Sequence, residues 1–232
     1  MIKFFRKIRQ NLLSEGKTGK YFKYAIGEIV LVVIGILIAL YINTWNINRL
    51  EKKEITNYFK QIKTELKLDI AHYNNDISKM QNWTGYLNKV SEERYHEVDL
   101  SLLLNSLPRN LSSRNFGISY HKLLESGTIK HIDSNQIGEK LQSYYLKNCS
   151  EYNSRTEFHA KFISDHIEGP LLLMLNHKKG FLVDPDEVIN ELENGKLKSL
   201  INWQISYFEY QMPEIEQNIT LAKELIEIID KK

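Results

Sequence analysis

One cysteine in 232 residues excludes an intramolecular disulfide framework and any zinc site built from several thiolates. Proline and glycine are also scarce, together about 6 % of the chain against roughly 12 % in average proteins. Turns are therefore few, which favours long helices over a many-stranded sheet. No alternating apolar pattern bounded by turn residues stands out. The motifs G-x-x-x-x-G-K-S/T, G-x-G-x-x-G and G-x-S-x-G are absent, so nucleotide-cradling loops and a nucleophile elbow have no support. Catalytic residues, cofactors and metals are accordingly not expected.

The residue types that remain could still carry chemistry, but their spacing argues against it. Seven histidines invite a metal reading. His159 and His166, with Asp165 and Glu168 nearby, are seven apart, whereas metal ligands on a helix usually sit three or four apart. Solvated histidines are the expectation. His121 and His131 bracket Ser126-Gly127 without a third ligand. Cys149, in "YYLKNCSEY", reads as a buried or half-buried structural thiol.

Charge is unevenly distributed. Residues 1–23 hold seven Lys/Arg against Glu15, a charge of +6, so a chain of net +2 leaves −4 for the rest. The sequence pI of 8.4 therefore describes a short basic leader. The body has no electrostatic footprint for nucleic acid.

The apolar content is concentrated in "GEIVLVVIGILIALYINTWN". Ile29 to Ile42 carries no charge, and most of it is Ile, Leu or Val. A helix from Tyr24 to Trp45 would be about 33 Å long, enough for a hydrocarbon core of roughly 30 Å. Its branched aliphatic residues favour insertion by about 3 to 7 kcal/mol, and one acid near an end opposes this by at most about 3 kcal/mol. Tyr24 precedes the run while Tyr41 and Trp45 close it, as interfacial aromatic belts do. No small-x-small cleavage site follows, which favours an uncleaved anchor over a signal peptide. The basic leader places the N-terminus in the cytoplasm. The lipid bilayer is thus the first expected partner. Glu28 lies near one end of the span, within reach of headgroups or of another subunit. Gly27, Leu31, Gly35 and Ala39 fall at four-residue steps on one face, a small-residue stripe that permits close helix contact.

The body reads as all-α. Apolar residues recur at three- and four-residue steps through Ile55, Phe59, Ile62, Leu66, Ile70, Tyr73, Ile77, Met80, Thr84 and Leu87, one long amphipathic helix. "DLSLLLNSLPRNL" predicts a short helix broken at Pro108. The next helix stops at Gly127 as a left-handed C-cap. Asp133 with Gln136 forms a capping box, and Ile132 with Ile137 a hydrophobic staple. From there a helix is expected to run to Gly169-Pro170 as an antiparallel partner of the first. Asp184, Pro185 and Gly195 delimit a short helix. Residues 197–230 are helical, with Pro213 marking a kink or break. The architecture expected is one N-terminal transmembrane helix followed by an antiparallel helical bundle. Its parts are a leader at 1–23, a membrane helix at 24–45 and an extracytoplasmic domain at 46–232. Trp83, Trp203, Tyr144, Tyr145, Tyr207 and Tyr210 are expected mainly as core.

Three stretches, "MIKFFRKIRQNLLSEGK", "YAIGEIVLVVIGILIALYINTWN" and "YHKLLESGTIKHI" followed by "LQSYY", resemble a flavobacterial family of single-pass membrane proteins of unknown function. The likeness is close over the first 50 residues and loose over the body. It implies a bacterial inner membrane and a small periplasmic helical body, and brings no catalytic residues. A non-enzymatic scaffold is the function expected, with a membrane-protein partner or self-association. The alternative is a periplasmic ligand-sensing module acting through a membrane partner.

Overall fold

The computed structural model describes residues 18–132 and 135–231. The leader through Lys17 and the expected Asp133 cap lie outside them. The fold is all-α. Helix α1 (Thr18–Ser91) is followed by short 3-10 turns, α2 (Leu103–Ser106) and α3 (Ile118–Glu125). Next come α4 (Asn135–Gln142), α5 (Cys149–Ile163) and α6 (Gly169–Met174), joined by π-helical turns at Ser143–Asn148 and Ser164–Glu168. A two-stranded antiparallel hairpin, β1 (His177–Lys178) with β2 (Leu182–Val183), precedes α7 (Pro185–Asn194) and α8 (Leu197–Asp230). The chain forms two compact units, the first ending at Glu54 and the second starting at Ile55.

In the first unit, α1 is exposed at every residue from Ile29 to Trp45. It is long and apolar enough to cross a membrane and is compatible with a membrane anchor. In the second unit, α1 turns a continuous face to the core through Phe59, Ile62, Leu66, Tyr73, Met80, Leu87 and Val90. Ile70 and Ile77, expected on that face, are only half-buried, and Asp69 and Asp76 take the central positions. The sequence reading missed both acids.

The expectation that the helix after residue 135 runs antiparallel to α1 is corrected. Asp69 bonds Tyr144, Tyr73 contacts Cys149, and Asp76 bonds Tyr152, so residue numbers rise together and the two run parallel. The physical reason lies in the connection. From Ser91 the chain passes back along α1 until Ser119 meets Glu65 and Gln61, so the next long helix starts level with the early part of α1's buried face. Helix α8 runs against both, pairing Asp230 with Lys63, Glu224 with Lys140, Glu214 with Arg155, and Asn202 with Ser91.

The π turns keep the second long helix in phase. Ile137, Leu141, Tyr145 and Cys149 are each four apart, as are Ile163, Ile167, Leu171 and Leu175, and all are buried. A regular helix of 3.6 residues per turn would rotate such a series off the core. Each π turn takes up about one extra residue and cancels the drift. The second also lies directly before Pro170, which explains why the helix continues past Gly169-Pro170 to Met174. Its wider turn relieves the clash between the proline ring and the carbonyl four residues back.

Helix α8 likewise continues through Pro213 rather than breaking. Pro213 is exposed, so the carbonyl of Glu209, left without its amide donor, faces water. The short-helix signals behave as expected. Asp184 caps α7 by accepting from the Asp186 amide, Gly195 ends it, and Gly127 is left-handed at φ +70° after α3. The hairpin was not legible as strands because each is two residues long.

Gly117, at the start of α3, is left-handed with φ +68°, and a Cβ there would lie 2.6 Å from Cδ1 of the buried Tyr145 ring. Gly117→Ala is therefore expected to lower stability by about 2–4 kcal/mol, from left-handed strain plus overpacking. Gly127→Ala, where a Cβ meets open space, should cost only about 1 kcal/mol. Chemical unfolding of the full chain in detergent micelles measures both. Equal effects would show that the Tyr145 ring does not confine Gly117.

Candidate functional site

The chemistry-bearing residues of the second unit gather where α1, α5 and the segment before α3 meet. Asp76 is 1 % exposed, and its Oδ2 accepts from Tyr152 Oη at 2.8 Å and from Arg114 Nη2 at 2.6 Å. Arg114 comes from a segment without regular secondary structure, and the Asn153 side chain grips it on both sides. Asn153 Oδ1 accepts from the Arg114 amide at 2.9 Å, and Nδ2 donates to its carbonyl at 2.7 Å. A buried carboxylate with a charged, hydrogen-bonded partner avoids the large cost of an unpaired charge.

Asp69, two turns earlier, is answered less fully. Tyr144 Oη donates to its Oδ2 at 3.2 Å. Burial pushes its carboxyl up to about 6, the Tyr144 bond opposing and the nearby Glu65 charge adding to the rise. Glu65 itself caps α3, accepting from the Ser119 amide at 3.0 Å and from Ser119 Oγ at 2.6 Å. The carboxylate thereby satisfies orphan donors at the positive end of that helix.

Between the acids sits an aromatic layer. Tyr73 lies 5.7 Å from Phe116 and 5.3 Å from Tyr152, and Tyr120 stacks on Tyr145 at 5.1 Å. The first π turn turns both Tyr144 and Tyr145 inward. Cys149 is buried beside Tyr73 Oη at 3.7 Å, and burial raises its thiol to about 12, so it is a structural thiol as expected.

His159 contradicts the expectation of a solvated histidine. It is buried, stacked on Tyr207 at 3.7 Å, and its Nε2 is 3.0 Å from Gln204 Oε1. Gln204 in turn donates to the Arg109 carbonyl at 2.6 Å. Burial lowers the imidazole to about 4, with the Gln204 bond opposing. His166 is exposed, as is His121. Among the described residues no group of three His, Cys, Asp or Glu could hold a metal ion. The expected core aromatics divide. Tyr144 and Tyr145 are buried, Trp83, Trp203 and Tyr207 are half-buried, and Tyr210 is exposed. Tyr210, Tyr207, Phe158 and Arg155 line an open cleft of about 380 Å³ on α5 and α8.

The residues singled out for the membrane all lie on α1, in the first unit. Tyr24, Tyr41, Trp45 and Ala39 are exposed, Glu28 is half-buried, and a Cβ built on Gly35 would point into open space among the described residues. Arg49 lies 5.4 Å over the Trp45 ring and donates to Asn46 Oδ1 at 3.2 Å.

Two opposed titrations follow from this geometry. Asp69 holds its proton more tightly folded than unfolded. Its effect makes stability fall as pH rises from about 4 to 6, by roughly 3 kcal/mol. His159 resists protonation when folded, so its stabilisation is present above about 6.5 and lost as pH falls towards 4, again by roughly 3 kcal/mol. The two nearly cancel across this range. Asp69→Asn should raise stability at pH 8 by about 1–3 kcal/mol and expose a steep acid loss below pH 6.5. Urea unfolding between pH 4 and 8 tests this. An unchanged profile would place the Asp69 carboxyl at its ordinary value.

Residues 28–112, which include the apolar run and both buried acids, match the model of a family described as a family of unknown function, DUF6090. No curated protein and no solved structure matches the chain. What the chain resembles is thus a family defined by this stretch of sequence, and it supplies no activity to transfer.

Proposed function

We propose that this chain is a non-enzymatic, single-pass membrane protein that presents a helical bundle to a protein partner or to a second copy of itself. In this reading the N-terminus is cytoplasmic in a bacterial inner membrane and residues 46–232 form the periplasmic domain. The observation that carries it is the uninterrupted exposure of an apolar helix face from Ile29 to Trp45. A run of that kind in water would be an aggregation site, whereas in lipid it is the natural surface. Trp45 with Arg49 over its ring suits the boundary where hydrocarbon meets water, because the ring is amphipathic and the cation reaches headgroups.

The non-enzymatic reading draws on the second unit. Asp76, Asp69, His159 and Cys149 are the buried groups best suited to acid–base or nucleophilic work, and each is committed to a neighbour in the core. The sensing alternative would draw on an open cleft such as that at Phe158, Tyr207 and Tyr210.

Topology is testable because the one native thiol is buried. In Ser14→Cys and Lys79→Cys variants, a membrane-impermeant maleimide applied to spheroplasts should label position 79 at once and position 14 only after lysis. The reverse pattern would overturn the orientation. Full-length protein solubilised in mild detergent should migrate as a stoichiometric complex, and Glu28→Gln should weaken it while leaving insertion intact. A lone monomer at all concentrations would sink the interaction reading.

A further inference from the structure

We infer that the seam between α5 and α8 holds a binding site for a small neutral ligand that carries an amide group. The inference goes beyond the scaffold reading and stands whether or not the bundle has a protein partner. Along α8, Gln204, Gln211 and Asn218 recur at seven-residue steps, and all three are buried. Gln204 is satisfied within the protein, by His159 and the Arg109 carbonyl. Gln211 is not. It is 3 % exposed, and its Nε2 is buried with no hydrogen-bond partner among the described residues. An amide donor held away from water and left unpaired is costly, so a group of this kind calls for a polar occupant beside it.

Space for that occupant lies alongside. Gln211 and Asn218 line a cavity of about 60 Å³, with Asn148 and Tyr152 across the seam. At about 10–15 Å³ for each water-sized sphere, it takes a group of about four heavy atoms. Arg155 and Glu214 also line it and bond to each other, and Glu151 stands exposed at its edge. With its guanidinium committed to Glu214, Arg155 offers no free cation to an anionic ligand, and its charge opposes a cationic one. The carboxamides remain, and each donates and accepts through one planar group. Another amide answers both functions in the same plane without bringing charge. The cleft of about 380 Å³ at Phe158, Tyr207 and Tyr210 shares Arg155 and Gln211 with the cavity. Its exposed rings give an aromatic substituent of the amide a surface to stack on.

The test uses three molecules of one shape and different charge. Full-length protein in detergent micelles, carrying nitrogen-15 in its Asn and Gln side chains, is titrated with acetamide, acetate or acetamidinium and followed by NMR. Acetamide should shift the Gln211 and Asn218 side-chain signals saturably, with a Kd on the order of millimolar as suits so few atoms, and roughly ten-fold or more tighter than either ion. 2-Phenylacetamide should bind roughly ten-fold tighter again, and Phe158→Ser with Tyr210→Ser should remove only that gain. Gln211→Met should abolish amide binding while leaving the melting temperature unchanged or raised, because it deletes an unpaired buried donor at nearly constant volume. Shifts that never saturate would mean that water alone fills the cavity, and overturn the inference. So would tighter binding of acetate or acetamidinium, or acetamide binding that survives Gln211→Met. Equal affinity for the two amides would overturn the part assigned to the cleft.

Discussion

Asp69 and Asp76 stand two turns apart on the face of α1 that is turned away from water, and much of the second unit is arranged as an answer to them. A carboxylate removed from solvent must find charge or hydrogen bonds, and breaking such a buried pair costs about 3–5 kcal/mol. Arg114 and Tyr152 meet the requirement at Asp76, and Tyr144 meets part of it at Asp69. The arginine arrives on a segment with no helix of its own, so Asn153 holds its backbone as a strand neighbour would. With that segment pinned, α3 begins where Glu65 can cap it, and Tyr145 closes over Gly117.

The polar contacts also settle direction and register. Leucine and isoleucine stripes alone would allow two helices to slide by a turn or to pack in either sense. Three rungs, Asp69 with Tyr144, Tyr73 with Cys149 and Asp76 with Tyr152, fix one parallel alignment. Along α1 the steps are four and three. On the facing helix they are five and three, and the five-residue step crosses the first π turn. The irregular turn is therefore what brings tyrosines and acids level.

Much of this was legible beforehand and some was not, for identifiable reasons. The exposed apolar run, the long helices and the caps at Asp184, Gly127 and Gly195 announced themselves through composition and residue type. The acids were hidden by the habit of reading a stripe from apolar residues alone. A three-four alternation starting at Ile62 passes through Leu66, Asp69, Tyr73, Asp76 and Met80, so the signal was periodicity kept and polarity broken. Ile70 and Ile77 drew the reading one residue aside. The parallel pairing escaped because it depends on a 43-residue connection doubling back, which helix length does not encode. His159 was misplaced because an isolated histidine on a helix gives no sign of the glutamine and tyrosine that will enclose it.

The two π turns also bear on how such a sequence tolerates change. A π turn is in effect one inserted residue that the helix has absorbed instead of expelling into a loop. Removing one residue from Ser143–Asn148 would restore regular helix locally but rotate every downstream side chain by about 100°. Tyr152, Thr156, His159 and Ile163 would then leave the core together. A deletion or insertion there would keep the core only if paired with one that compensates around these turns, or if placed in the connections on either side. The spacing between "LQSYY" and Pro170 is in that sense a fixed length for this packing.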